Sequence, residues 1–244
     1  MTVARYSLEG AVLPLVTETL SLGELARKFI QGIYGARNQG ASSGSLSGKG
    51  ENGEPLKGHT HAFYLPTDED GDGRLDHLTV FAACGFPQAE LEALGEFSRV
   101  RQVGGKPDVN LLLTGLGNVD DFRGLTLFGP TRVWRSSTPF VPVRHPKLRR
   151  GVILESPGEQ VALELERRGY PKPVEIRPLE RAQFSDRRSA RWIEFRRERL
   201  TGGGNRGPVL GYGFEIRFAQ EVTGPLALGY GCHFGLGQFK AVHS

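Results

Sequence analysis

The order of hydrophobic periods in the first half of the chain restricts its fold more than any other feature. VARYSLEG (3–10) alternates as a strand does. Beyond Pro14, Leu22, Leu25, Ala26, Phe29, Ile30 and Ile33 recur at helical spacing. Ser21 and Glu24 are spaced as a capping box, and Leu20 and Leu25 as a hydrophobic staple. HAFYLP (61–66) and HLTVFA (77–82) flank the acidic TDEDGDGRLD, which predicts a hairpin. After Pro87, Leu91, Leu94 and Phe97 share a helical face, and VNLLLTGLG (109–117) reads as a last strand. The resulting β-α-β-β-α-β order is the ferredoxin-like one, an antiparallel sheet with two helices on one face.

The second half sketches the order again with less regularity. TRVWRSSTPFVPV (131–143) is a predicted strand, EQVALELERRG (159–169) a helix, and VEIRPL (174–179), WIEFRRER (192–199) and GYGFEIRFAQEV (211–222) further strands. Turn residues gather near 119–130. The expected architecture is α+β, two tandem ferredoxin-like (RRM-like) domains over residues 1–125 and 126–244. The stretch 38–58 is so rich in Gly, Ser, Asn and Lys that a loop over a functional face is expected there.

Charge is distributed unevenly. From Arg132 to Arg206 there are 18 Lys or Arg against 9 Asp or Glu, in a chain whose formal net charge is +4. A local basic surplus is the footprint of a phosphate-backbone partner, since each neutralised phosphate releases counterions. The two cysteines, Cys84 and Cys232, support neither a disulfide framework nor a cysteine-rich zinc site, and they suit a reducing compartment. No apolar run reaches 18 residues and no signal-peptide pattern begins the sequence, so a cytoplasmic location is expected.

The ending LALGYGCHFGLGQF (226–239) interleaves Gly229, Gly231, Gly235 and Gly237 with Tyr230, His233, Phe234 and Phe239. Glycines allow backbone N–H groups to approach a phosphate, and aromatic rings can stack on bases. The plainer reading is crowded packing. Together with the tandem order, this ending resembles the glycine-rich loop of the repeat-associated mysterious proteins, the superfamily of CRISPR RNA-binding subunits and precursor-RNA endoribonucleases. The runs GHTHAFYLPTDEDGDGRLDHLTVFA, GPTRVWRSSTPFVPVRHP and GYGFEIRFAQEVTGPLALGYGCHFGLGQF are similar to the C-terminal endonuclease part of the type I-G (formerly I-U) fusion subunit. The guide-capping N-terminal domain of that longer fusion has no counterpart in this sequence.

The resemblance implies cleavage of a CRISPR repeat hairpin by its own 2′-hydroxyl, leaving a 2′,3′-cyclic phosphate and a 5′-hydroxyl, with no metal or other cofactor. It also implies partner subunits of a type I interference complex, among them a guide-capping domain, fused or separate. A non-catalytic guide-RNA-binding subunit is the alternative. In-line cleavage needs proton carriers near neutral pKa and cations for the phosphate. In the endoribonucleases the active histidine follows the first helix and faces the glycine-rich loop, which selects the GHTHA run. His59 and His61 are two apart and share a face if extended. The pair is the expected base and acid, with Lys49 or Lys57 before them on the phosphate and His233 in the glycine loop as the rival second proton carrier.

His77 is expected to bond a carboxylate; His145 lies in a Pro-flanked basic stretch and His243 at the terminus. Candidate RNA-binding residues are the four loop glycines, Arg132 and Arg135 around Trp134, Lys147, Arg149 and Arg150, and Arg187, Arg188, Arg191, Arg196 and Arg197 around Trp192. Both tryptophans also suit a core. Asp68, Asp70 and Asp72 with Gly73 follow a calcium loop's spacing, yet Thr79 stands where its glutamate belongs and the flanks read as strands, so a tight polar hairpin is the better reading.

Overall fold

The computed structural model describes the chain except residues 51, 55, 57, 103, 144–147, 150, 151, 154, 199–209, 243 and 244; of residues 148, 149, 152 and 153 only the backbone is described. His145, His243, Lys57, Lys147 and Arg150 therefore lie outside the described residues, as does the side chain of Arg149.

In the first half, β1 (Val3–Glu9) leads through a short 3-10 turn at Val16–Glu18 into α1 (Thr19–Arg37), followed by the one-turn α2 (Gly44–Ser47), β2 (Phe63–Thr67), β3 (His77–Phe81), α3 (Gln88–Glu96), β4 (Arg99–Val100) and β5 (Val109–Gly117). The strands form one antiparallel sheet in the order β2-β3-β1-β5-β4. Setting aside the two-residue β4, this is the ferredoxin-like order. Ala4, Tyr6, Tyr64, Leu78 and Val80 point to the helices and pack with Leu22, Ala26, Ile30 and Leu94. Alternation sends Val3, Phe63 and Leu65 to the opposite face, where they meet Leu127, Phe128, Ala227 and Cys232.

The second half runs β6 (Thr131–Ser136), β7 (Leu148–Arg149), β8 (Val152–Ile153), α4 (Pro157–Arg167), β9 (Glu175–Leu179), β10 (Arg181–Ser185), β11 (Arg188–Arg191), β12 (Gly213–Val222) and β13 (Phe239–Ala241). Its sheet has the order β13-β6-β12-β9. With β6, β9, β12 and β13 taken as strands one to four, the order is four-one-three-two, ferredoxin-like again. The second helix of that pattern is missing; between β12 and β13 the glycine-rich segment holds a 3-10 turn, Cys232–Phe234. Two inserted two-stranded ribbons, β7-β8 and β10-β11, complete the half. Among the described residues no helix is long and apolar enough to cross a membrane.

Four local expectations differ from the structure. The capping box at Ser21 and Glu24 is absent: the preceding 3-10 turn carries the chain into helix by Thr19, so both residues lie inside α1. WIEFRRER is not a strand, because Trp192–Glu194 is a 3-10 turn that buries Trp192 and Phe195 against the first half's core. The 38–58 stretch is not all loop, since Ser43 caps α2 and Leu46 is buried, its carbonyl accepting the Tyr64 hydroxyl at 2.8 Å. The β10-β11 ribbon and β13 carry too few alternating apolar residues to be read as strands. Both tryptophans are core residues, Trp134 fully enclosed and Trp192 nearly so.

Candidate active site

Three rings from the chain entering β2 meet the glycine-rich turn. His59, His61 and Phe63 are spaced two apart, so they face the same way, toward His233 in the 3-10 turn. His233 stacks on His61 (centroids 3.9 Å, planes 4° apart) and on Phe63 (3.9 Å, 22°), with the His59 ring 5.2 Å away at 19°. Glycines permit this approach. A Cβ at Gly23 in α1 would lie 2.6 Å from the Phe234 carbonyl oxygen, and one at Gly48 would lie 2.6 Å from His61 Nε2.

The hydrogen bonds assign the tautomers. His233 Nδ1 lies 3.0 Å from the Ala62 carbonyl, which can only accept, so Nδ1 carries the proton. The neutral ring then has its lone pair on Nε2, 2.9 Å from His59 Nδ1. His59 Nδ1–H therefore donates to His233, and the free lone pair of the exposed His59 ring is on Nε2. Burial is the main cause that holds all three rings below the ordinary histidine value: His59 at about 4, helped by Arg168 and His61; His233 at about 3, helped by His61, His59 and Arg168; His61 also lowered, helped by Arg27. All are neutral near pH 7. His61 Nδ1 is buried without a hydrogen-bond partner.

His59 opens on a cleft of about 290 Å³ whose walls include Phe140, Gln160, Arg167, Arg168, Glu164 and Gly229. Arg167 and Arg168 end α4, which the Ser156/Glu159 capping box and Pro157 start and whose buried Val161 and Leu165 fix on the second sheet. Arg168 is nearly enclosed; it donates to the Ala227 carbonyl (2.6 Å), pairs with Glu164 and lies 3.5 Å from Cys232 Sγ. Arg167 is exposed at the cleft. Sequence reasoning misses both arginines. They do carry a signal, as two adjacent cations after a capped amphipathic helix in the basic half, yet nothing local indicates that this helix end faces residue 59.

The expectation of glycine N–H groups open to phosphate meets a different arrangement. Gly229 N–H donates to both oxygens of Glu164 (3.0 and 2.9 Å), Gly237 N–H to Pro139 (2.8 Å), and Gly235 N–H to Cys232 (3.4 Å). Gly231 and Gly235 flank the 3-10 turn with φ of 71° and 89°, a region L side chains avoid. Close packing and left-handed backbone are what these glycines provide here.

The arginines are spread over several surfaces. Arg135 is committed with Arg177 to Glu215 (2.6 and 3.1 Å), and Arg132, an odd number of residues earlier on β6, is exposed. Arg191 pairs with Glu194 (2.7 Å), Arg196 and Arg197 follow that turn, and Arg187 is exposed between β10 and β11. Arg188 donates to the Asp72 carbonyl, so the ribbon sits on the acidic turn at the other end of β2 from the histidines. There Asp68 accepts from Gly71 and Gly73 (2.8 and 2.9 Å), Asp70 from Asp72 (3.0 Å) and Asp72 from Arg74 (2.7 Å). Burial chiefly raises Asp68 to about 6. His77 Nδ1 meets Asp76 at 2.9 Å, the carboxylate bond expected of it. Lys49 is exposed next to Gly48.

No family model and no curated protein matches the chain. Two solved structures align over the whole of both chains: a Cas6 product complex at 16% identity and TM-score 0.42, and an RAMP protein binding different RNA substrates at 12% and 0.42. Likeness at that level carries no argument of its own; the strand orders and side-chain geometry of this chain do.

Proposed function

We propose that the chain is a metal-independent endoribonuclease that cleaves CRISPR repeat RNA into guide RNA. The observation that carries the chemistry is the bond from His59 Nδ1–H to His233, itself fixed by the Ala62 carbonyl, which leaves a neutral His59 with Nε2 as its basic atom. The substrate class comes from the resemblance of the three sequence runs.

RNA lying in the cleft presents a 2′-hydroxyl to His59 Nε2. As the 2′-oxygen attacks phosphorus, its proton passes to Nε2, and the positive charge is shared toward His233 through the existing hydrogen bond. Arg167, exposed at the cleft, meets the phosphate as negative charge grows on it, while Arg168, held in the wall by Glu164 and the Ala227 carbonyl, adds positive potential. The P–O5′ bond breaks, giving a 2′,3′-cyclic phosphate and a 5′-oxygen that needs a proton. His61 is neutral and enclosed by His233 and Gly48, so we assign that proton to Lys49, exposed on the same segment. The basic ribbon lies one strand away, about 17 Å along β2 at 3.3 Å per residue, which suits it to backbone flanking the cut.

The test is incubation of end-labelled repeat RNA with the protein in EDTA. Products with cyclic phosphate and 5′-hydroxyl ends are expected; tight binding with no cutting sinks the reading in favour of a guide-holding subunit.

A further inference from the structure

The same turn also brings a thiol, which RNA cleavage does not use, beside the two rings. Cys232 is buried, and its Sγ and a nitrogen from each of His59 and His233 all lie within 4.8 Å of one another. We propose that His59 Nδ1, His233 Nε2 and Cys232 Sγ form an inhibitory site for a divalent transition metal of zinc type.

Two imidazoles and a thiolate with an open fourth position form a donor set suited to zinc. Ligand distances of about 2.0–2.3 Å at a tetrahedral ion place donors roughly 3.3–3.7 Å apart. The two nitrogens, 2.9 Å apart, separate by a few tenths of an ångström, and the sulfur, no more than 4.8 Å from either, closes by at most about 1 Å, on the scale of a side-chain rotation. The supporting contacts exist already. His233 Nδ1–H donates to the Ala62 carbonyl, the second-shell bond that orients a ligating imidazole. Burial pushes the Cys232 thiol up, Arg168 beside Sγ partly offsets this, and Glu164 offsets the charge of Arg168 against an incoming cation. The cleft on which His59 opens has room for a water-sized fourth ligand. The other cluster of possible ligands, Asp68, Asp70 and Asp76, spends its oxygens on backbone N–H groups of its own turn.

The protons balance simply. Three metal–ligand bonds form, the thiol proton of Cys232 goes to solvent, and His233 keeps its Nδ1–H. His59 has one ring proton, and with Nδ1 on the metal that proton moves to Nε2. The nitrogen that offered RNA a lone pair then presents an N–H, so the 2′-hydroxyl has no acceptor. Metal therefore stops cleavage without blocking the cleft. This inhibition rests on the function proposed above; metal binding itself does not.

The experiment titrates Zn²⁺ into the full-length, reduced, chelator-treated chain by calorimetry and records the absorption spectrum with Co²⁺. One Zn²⁺ per chain and a thiolate-to-cobalt charge-transfer band are expected. Cys232→Ser removes the band, weakens binding at least on the order of 10-fold, the scale set by losing even a second-shell partner, and shifts the zinc concentration for half-inhibition equally, each protein referred to its own zinc-free rate. Absence of the band in the unmodified chain overturns the site, whatever the variant does. Equal Zn²⁺ affinity in Cys232→Ser also overturns it, placing the ion elsewhere, with Asp68→Asn showing whether the acidic turn holds it. A chain that cuts no RNA defeats the functional reading, while calorimetry and the cobalt spectrum still decide the metal site.

Discussion

The two halves share a strand order but differ in what covers their sheets. The first lays α1 and α3 over one face and buries its second face under the other half. Among the described residues the second has α4 alone, and where its second helix would pack the chain crosses to the first half as a glycine-rich turn. Leu226 and Leu228 stay in the second core, whereas Phe234 and Leu236 join the first. A repeated fold thus becomes asymmetric by giving up one helix, and the histidines meet where that helix is missing.

The sharpest way to break this comparison is to disrupt the meeting of the halves. His59→Ala is expected to lower single-turnover cleavage on the order of 10²–10⁴-fold, the range for losing a general base, with RNA affinity little changed. Wild-type rates in His59→Ala and His61→Ala would transfer the base role to His233. Gly23 and Gly32, both in α1, sharpen it further. Gly23→Ala sets a Cβ against the Phe234 backbone, costing about 1–3 kcal/mol in urea unfolding, while Gly32→Ala meets nothing within 4 Å and gains about 0.5–1 kcal/mol from helix propensity. Equal effects of the two would mean that α1 and the turn do not touch.

Acid offers a smaller but independent handle. The folded histidines bind protons near pH 3–4, whereas unfolded histidine binds near 6.5, so the unfolded state holds more protons between those values. Stability should therefore be complete above pH 6.5 and fall as pH drops toward 4. His233→Gln should flatten that decline, and unfolding midpoints measured across the range test it. The cleavage rate should lose its base near pH 4 and show no inflection near 6.5. Smallest of all, neutralising Arg187 or Arg191 should weaken RNA binding and reduce the log–log salt slope by about 0.7–0.9 for each phosphate left without its cation; an unchanged slope removes the ribbon from the RNA path.

The first half is readable because its signals are local: Val3–Glu9, Phe63–Thr67 and the 22–33 stretch each carry their own period. Pairing His59 with His61 also needs only the two-residue repeat of extended backbone. What stays hidden depends on distant partners. Arg168 looks like any cation at a helix end until the chain brings Ala227 and Cys232 to it. Arg135 looks free until Glu215 arrives from β12. The glycines of 229–237 read as phosphate donors because the sequence does not reveal that Glu164 and Pro139 take those N–H groups.

His59 and His233 are 174 residues apart in sequence, and the turn that joins them is laid down just before the final strand. During synthesis the basic surfaces leave the ribosome well before residue 233 does. A partly made chain therefore lacks the ring that sets the His59 tautomer, and the proposed base is oriented only once residues 226–239 have folded onto the first half.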